Sequence, residues 1–323
     1  MFDVVVVGAG VIGLTTALRL QHQGARVAVV AAEPPLSTTS AVAAAVWFPT
    51  GMDQDGQVLA WSARTFTELA RQAAESVPGV SMHATRVLNR LEPDQAVPWW
   101  GAALPDLRRL EPDRLAAPYA GGWEFTAPTV EMPVYLSWLL SRFREAGGEL
   151  ITRRLESLHE AAGWAPAVVN ASGLGARRLG GDAALYPVRG QLVLVTNPGL
   201  RTSLRVPDDP AGYTYVHPRS NDVVLGGTFD VGSRDTAVDP DTARSILRRG
   251  RALVPELRDA EVIGHRVGLR PARHGGVRLE ADDRTLPGVR LVHNYGHGGA
   301  GVTLSWGCAD DAAALVGAGP GKD

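Results

Sequence analysis

Among 323 residues there is one cysteine, Cys308, and one lysine, Lys322. A lone thiol rules out an intramolecular disulfide and fits a reducing, cytoplasmic setting. Flanked by Gly307 and Ala309 in an apolar helical pattern, Cys308 reads as a small core residue rather than a reactive one. Paired CxxC and HExxH arrangements are missing, so no metal site is expected, and no GxSxG supplies a serine nucleophile. No apolar run approaches the roughly 18 residues that span a bilayer. The stretch "MFDVVVVGAGVIGL" carries Asp3 where a secretory signal needs positive charge, and "GPGKD" matches no peroxisomal address. With 32 basic and 34 acidic residues the net charge is −2, which offers no attraction for nucleic acid or an anionic membrane.

What is present is ordinary globular composition, 45% hydrophobic and 20% charged, in a chain long enough for two domains. "DVVVV" (3–7) has the look of a strand buried on both faces of a parallel sheet. A glycine turn, a helix over 11–23 closed by Gly24, and the strand "ARVAVV" (25–30) complete one βαβ-sized unit. A helix over 56–75 is expected to bury Leu59, Ala63, Phe66, Ala70 and Ala73, and another from Pro133 to bury Leu136, Leu139, Leu140 and Phe143. "ELITRRLESL" (149–158) and "AVVNASG" (167–173) read as strands, and 187–229 is alternating and β-like. The "NAS" at 170–172 matches a glycosylation sequon but sits on a buried strand end, so no glycan is expected. Asp239-Pro240 should cap a helix to Leu253, and a final helix begins near Val302. The fold class expected is α/β: a discontinuous Rossmann-type dinucleotide-binding domain with a parallel sheet, 1–55, 135–182 and 262–323, interleaved with a β-rich substrate domain, 56–134 and 183–261.

Gly8-Ala9-Gly10-Val11-Ile12-Gly13 forms a G-x-G-x-x-G turn in its strand-to-helix context. A pyrophosphate would rest on the first amides of the 11–23 helix, whose end carries about half a positive charge. Glu33, beside Ala32, is the acidic residue at the distance expected for a ribose contact. Only one such fingerprint occurs. A second glycine-rich loop, "HNYGHGGAGVTLSWG" (293–307), precedes the last helix. Gly298, Gly299, Ala300, Gly301, Val302 and Thr303 would bring backbone amides and a helix start against charge developing on a reduced flavin, with Thr303 as a candidate cap. A nicotinamide dehydrogenase has no need of that loop, so the expected cofactor is FAD.

The third feature is "RVGLRPARHGG" (266–276). Arg270 lies between Leu269 and Pro271, where an unpaired charge is costly and a planar fork suits a carboxylate. The alternative is a structural ion pair; Arg266, Arg273 and Arg278 read as surface or structural. Tyr213 and Tyr215, two apart, face one side of a strand and serve either core or site.

Taken with "STTSAVAAAVWFP" (37–49), "YVHP" (215–218), "VVLGGTF" (223–229) and "VRLE" (277–280), these stretches resemble the D-amino-acid oxidase family of FAD enzymes nearly end to end. The resemblance implies that Thr38, Thr39, Ser40, Ala44, Ala45 and Val46 line the flavin and its ribityl–phosphate side. It places Ser172 against the cofactor and Leu155 at the adenine. Arg270 and Tyr215 would hold the substrate carboxylate, and the Gly299 carbonyl would accept from the amine. Tyr213 is a secondary candidate, since the family's other substrate tyrosine aligns nearer Ala211. The implied reaction is hydride transfer from Cα to flavin N5, giving a 2-oxo acid, ammonia and, with dioxygen, hydrogen peroxide. It needs no side-chain base, so neither His217 nor His297 is assigned that role. D-aspartate oxidases of the family carry histidine where Thr50 stands and serine where Gly299 stands. Neutral or apolar D-amino acids are therefore expected, with Val46, Trp47 and Phe48 as walls. Related oxidases of glycine, sarcosine or D-aspartate, and a dehydrogenase using an electron carrier, are the alternatives. A homo-oligomer is left open.

Overall fold

The computed structural model describes residues 1–49, 51–91, 96–111, 113 and 115–317. Thr50 and the tail from residue 318, Lys322 included, lie outside the described residues.

Two sheets organise the chain. In the six-stranded sheet the order is 278–282, 290–295, 167–170, 4–7, 27–31, 149–152. Val4–Val7 pairs in parallel with Val27–Ala31 on one side and Ala167–Asn170 on the other. The outer neighbours 149–152 and 290–295 are also parallel, and only the edge strand Arg278–Asp282 runs antiparallel. Four consecutive valines suit the centre because their branched side chains pack on both faces of the pleat. All four are buried, and each buried valine contributes about 1.5–3 kcal/mol. The helices Val11–His22 and Gly301–Gly317 pack against one another beside this sheet, Ala17 and Leu20 meeting Ala312 and Ala313 in one cluster with Val4 and Val6.

The nine-stranded sheet is antiparallel except where Val80–Asn89 runs parallel to Ser203–Val206. One face packs Val193, Val195, Val216 and Val223 against Ala243 and Ile246 of the helix Pro240–Leu253. Asp239 caps that helix as expected, its carboxylate accepting from the Thr242 amide at 2.6 Å.

Three expectations need adjustment. The strand Val262–Arg273 pairs along most of its length with Leu185–Thr196 and so belongs to the second sheet. The helix Gly56–Ala74 buries Val58, Trp61, Ser62, Thr65, Phe66, Leu69 and Gln72 rather than its alanine stripe. Its face is set by docking on the last helix. Thr65 Oγ1 accepts from the Gly307 amide at 2.9 Å, Trp61 Nε1 donates to Asp311 at 2.7 Å, and a Cβ on Gly307 would lie 2.3 Å from the Trp61 carbonyl. Polar side chains with tertiary partners thus outrank alanines in fixing rotation. The strand at Glu149 stops at Thr152, because Ser157 and Glu160 form a reciprocal capping box that starts a short helix at Leu158.

Candidate active site

A cavity of about 480 Å³ opens at the carboxyl ends of the parallel strands, where Val7, Ala31 and Ala171 leave the first sheet. That is the switch point at which open α/β sheets bind ligands. Its opposite wall comes from the second sheet through Gly190, Leu192, Arg205, Tyr215 and His217.

The first wall is mainly backbone. Gly8 has φ of +118°, and a Cβ there would lie 2.4 Å from the Ala171 carbonyl, so the turn after the first strand and the turn after Asn170 close on each other. A Cβ on Gly13 would sit 1.8 Å from the Gly8 carbonyl, which is why the helix can press against the turn only with glycine there. The Val11 amide donates to Ser40 Oγ at 3.0 Å, joining the 38–46 segment to the helix start. Across the cavity, the 3-10 turn Gly298–Ala300 leads into the last helix. All residues assigned to the cofactor from the sequence line the cavity except Gly13, which packs beneath it, and Ala300, which turns into the core beside Leu304. Thr303 does not cap its helix: its hydroxyl donates to the Phe48 carbonyl at 2.9 Å and accepts from the Phe48 amide at 3.1 Å. Glu33 stands at the exposed rim, 3.8 Å from Arg154.

The second wall is built of side chains. The Arg270 guanidinium donates to the Thr228 carbonyl at 2.9 Å and lies 4.3 Å from the centre of the Phe229 ring. A Cβ on Gly190 would fall 2.3 Å from it, so glycine makes the room. Among the described residues no carboxylate forms an ion pair with Arg270, and the structural-pair alternative falls. Arg266 is exposed, and Arg273 and Arg278 pair with Asp182 and Glu280. Tyr215 is buried, with its phenol pushed up by burial, opposed by Arg270. Tyr213 shares its side of the sheet, the two rings 5.6 Å apart. Ala211 is exposed and does not reach the cavity. Trp47 is fully buried against Phe66 and Phe48 lies behind the wall, so of the three expected apolar walls only Val46 faces the cavity.

Sequence reasoning missed Arg205. It is 4% exposed, donates to Tyr213 Oη at 2.7 Å and lies 4.4 Å from the Phe48 ring centre. Like Arg270 it has no carboxylate partner among the described residues. The signal was available: "SLRVP" sets an arginine among apolar neighbours just as "GLRPA" does.

Buried polar atoms with no partner among the described residues gather on this cavity: Asn294 Oδ1, His297 Nε2, His217 Nδ1 and Arg205 Nε. A large polar ligand fits such a set, because orphaned buried donors and acceptors are costly. Burial holds the His297 imidazole down at about 3, and burial with the Arg205 charge holds His217 well below the ordinary range. Both rings are neutral at pH 7. Two glycine-lined loops facing one cavity suit FAD: one would hold the pyrophosphate, the other the flavin.

Residues 3–315 match the family model described as FAD dependent oxidoreductase, DAO. A D-amino-acid oxidase of Rubrobacter xylanophilus is 51% identical over 97% of this chain and 95% of the relative. A D-aspartate oxidase of Homo sapiens is 37% identical over 97% and 94%. The structure of a glycine oxidase from Geobacillus kaustophilus superposes with TM-score 0.84 over 99% of this chain and 96% of that one, at 24% identity, and so shares the fold. With this cavity and these relatives, the chain belongs to the DAO family of FAD-dependent oxidoreductases.

Proposed function

We propose that the enzyme catalyses oxidative deamination of neutral or apolar D-amino acids, with dioxygen as electron acceptor and hydrogen peroxide as product. One observation carries this reading: Arg270 lines the cavity beside Tyr215 with no carboxylate of the described residues paired to it. A guanidinium in such a wall suits a carboxylate held by two parallel hydrogen bonds. Arg270 and Tyr215 would hold that group, Tyr213 would border it, and the Gly299 carbonyl would accept from the neutral amine. Positioning then supplies most of the catalysis. FAD held in this cavity would supply a two-electron acceptor for the Cα hydride. No base is required, and His297, held near 3, is too weak a one to serve.

On the cofactor side, Gly8–Gly13 would hold the pyrophosphate, Glu33 the ribose and Leu155 the adenine. Ser172, residues 38–40 and 44–46, and Gly298–Thr303 would surround the flavin. The two-domain division is proposed on the same footing, with 262–273 moved to the substrate side, as is a cytoplasmic location. Among the described residues no helix is long and apolar enough to cross a membrane.

A second reading, acidic D-amino acids, is favoured by Arg205, a further buried cation on the same wall without an acid partner among the described residues. Anaerobic mixing with D- and L-amino acids separates the two. Bleaching of the flavin absorbance by D-valine and D-alanine supports the first, and bleaching by D-aspartate alone supports the second. Admitting air then tests the acceptor: reoxidation without peroxide, or none, points to an electron carrier.

A further inference from the structure

Behind the cavity wall a line of polar groups, buried at its centre, runs from the edge of the first sheet to Ser172. Asn170 and His293 are register partners on adjacent parallel strands, and both are fully buried. Asn170 meets the His293 ring at Nδ1, 3.4 Å away, and His293 Nε2 meets Asp282 Oδ2 at 3.1 Å. At the other end, Asn170 Oδ1 accepts from the Ser172 amide at 3.3 Å and from the Ser172 hydroxyl at 2.6 Å.

The direction of each bond follows from one fixed donor. A backbone N–H can only donate, so the side of Asn170 facing Ser172 is its carbonyl oxygen. The amide nitrogen therefore faces His293, and only a bare Nδ1 can accept from it. The ring hydrogen then sits on Nε2, pointing at the Asp282 carboxylate. Burial would raise that carboxyl, but hydrogen bonds from Thr285, Arg284 and His293 hold it below the usual range. The anion at the far end and the amide at the near end agree on one polarity. With its hydrogen committed to Asn170, Ser172 Oγ offers only lone pairs to the cavity.

We propose that Asp282, His293 and Asn170 are positioning residues that fix Ser172 as a hydrogen-bond acceptor for a hydroxyl group of bound FAD. Phosphate oxygens at neutral pH have no hydrogen to give, which excludes the pyrophosphate as the partner; a ribityl or ribose hydroxyl meets the requirement. The proposal rests on Ser172 facing the cofactor and is independent of the amino-acid substrate.

The experiment is a double-mutant cycle read by FAD binding to apoprotein, followed by tryptophan fluorescence, with no turnover involved. Ser172→Ala should weaken FAD about five- to twentyfold, the worth of one buried hydrogen bond. His293→Gln should weaken it about three- to tenfold in the wild-type background and not at all in the Ser172→Ala background, because its influence passes through that hydroxyl. Equal weakening in both backgrounds would make His293 a structural residue only and overturn the proposal, as would an unchanged Kd for Ser172→Ala. A measurement needing no variant guards against misfolding. Nitrogen-15 spectra of the wild-type apoprotein should show His293 as the neutral Nε2–H tautomer from pH 7 to 9. Finding the Nδ1–H tautomer would overturn the chain's polarity.

Discussion

The two walls of the cavity are made by different means. On the first-sheet side, contact is backbone: glycines at fixed offsets after a strand, with the geometry encoded in a few consecutive residues. On the second-sheet side, contact is side chain, and neighbours come from distant stretches of sequence. Tyr215 stands opposite Arg205 on one adjacent strand and opposite Gly226 on the other. Arg270 projects over Gly190 from a strand that pairs with Leu185–Thr196. A loop that binds through amides carries its own instructions, whereas a side-chain constellation exists only once strand register is set. Loss of one wall should therefore be separable from loss of the other.

The largest effect expected is at Arg270. Arg270→Ala should leave a folded, flavin-loaded protein whose kcat/KM falls about a thousandfold, the scale of losing a desolvated charged contact of ~4 kcal/mol. Parallel loss of flavin would join the two walls and break the comparison. Gly13→Ala attacks the other wall. Its methyl group meets the Gly8 carbonyl, so overpacking should cost about 3 kcal/mol in denaturant unfolding, more than the ~1 kcal/mol alanine gains in a helix, and flavin content should drop. Unchanged stability would show that the turn has slack.

The pH dependence comes next. His297 is neutral in the folded protein down to about 3, whereas in the unfolded chain it takes up a proton from about 6.5 downward. The unfolded state thus binds more protons in that window, and stability falls as pH drops through it. The slope from this group alone approaches about 1.4 kcal/mol per pH unit. His297→Gln should flatten the stability profile between pH 6 and 4, and an unaltered slope would mean that the ring is not held neutral. The smallest effect is a control outside both walls. Asp239→Ala removes the cap of the helix Pro240–Leu253 and should cost about 1 kcal/mol without altering kcat/KM or flavin content.

Legibility in the sequence follows the same division. The central strand, the Gly8–Gly13 turn and the last helix were readable because each is local: a valine run, glycine spacing, a glycine loop leading into an apolar helical stretch. So was Arg270, whose apolar neighbours made a charge conspicuous. Arg205 obeys the same rule and was passed over, because its stretch lay within a long β-like region with no motif to draw attention. The rotation of helix 56–74 was misjudged for a tertiary reason, since Thr65 and Trp61 find partners only when the last helix is present. Trp47 looked like a cavity wall by adjacency to Val46, but neighbours in an extended segment point to opposite sides. It faces Phe66 instead.

The account depends most on a carboxylate seated on Arg270. The direct measurement is anaerobic reduction of the flavin-loaded enzyme by D-valine, compared with D-valinamide, which keeps the amine, the Cα hydrogen and the side chain but has no acid group. D-Valine should bleach the flavin at least a hundredfold more efficiently than the amide. Equal bleaching by the two would contradict the placement of Arg270 as the substrate anchor.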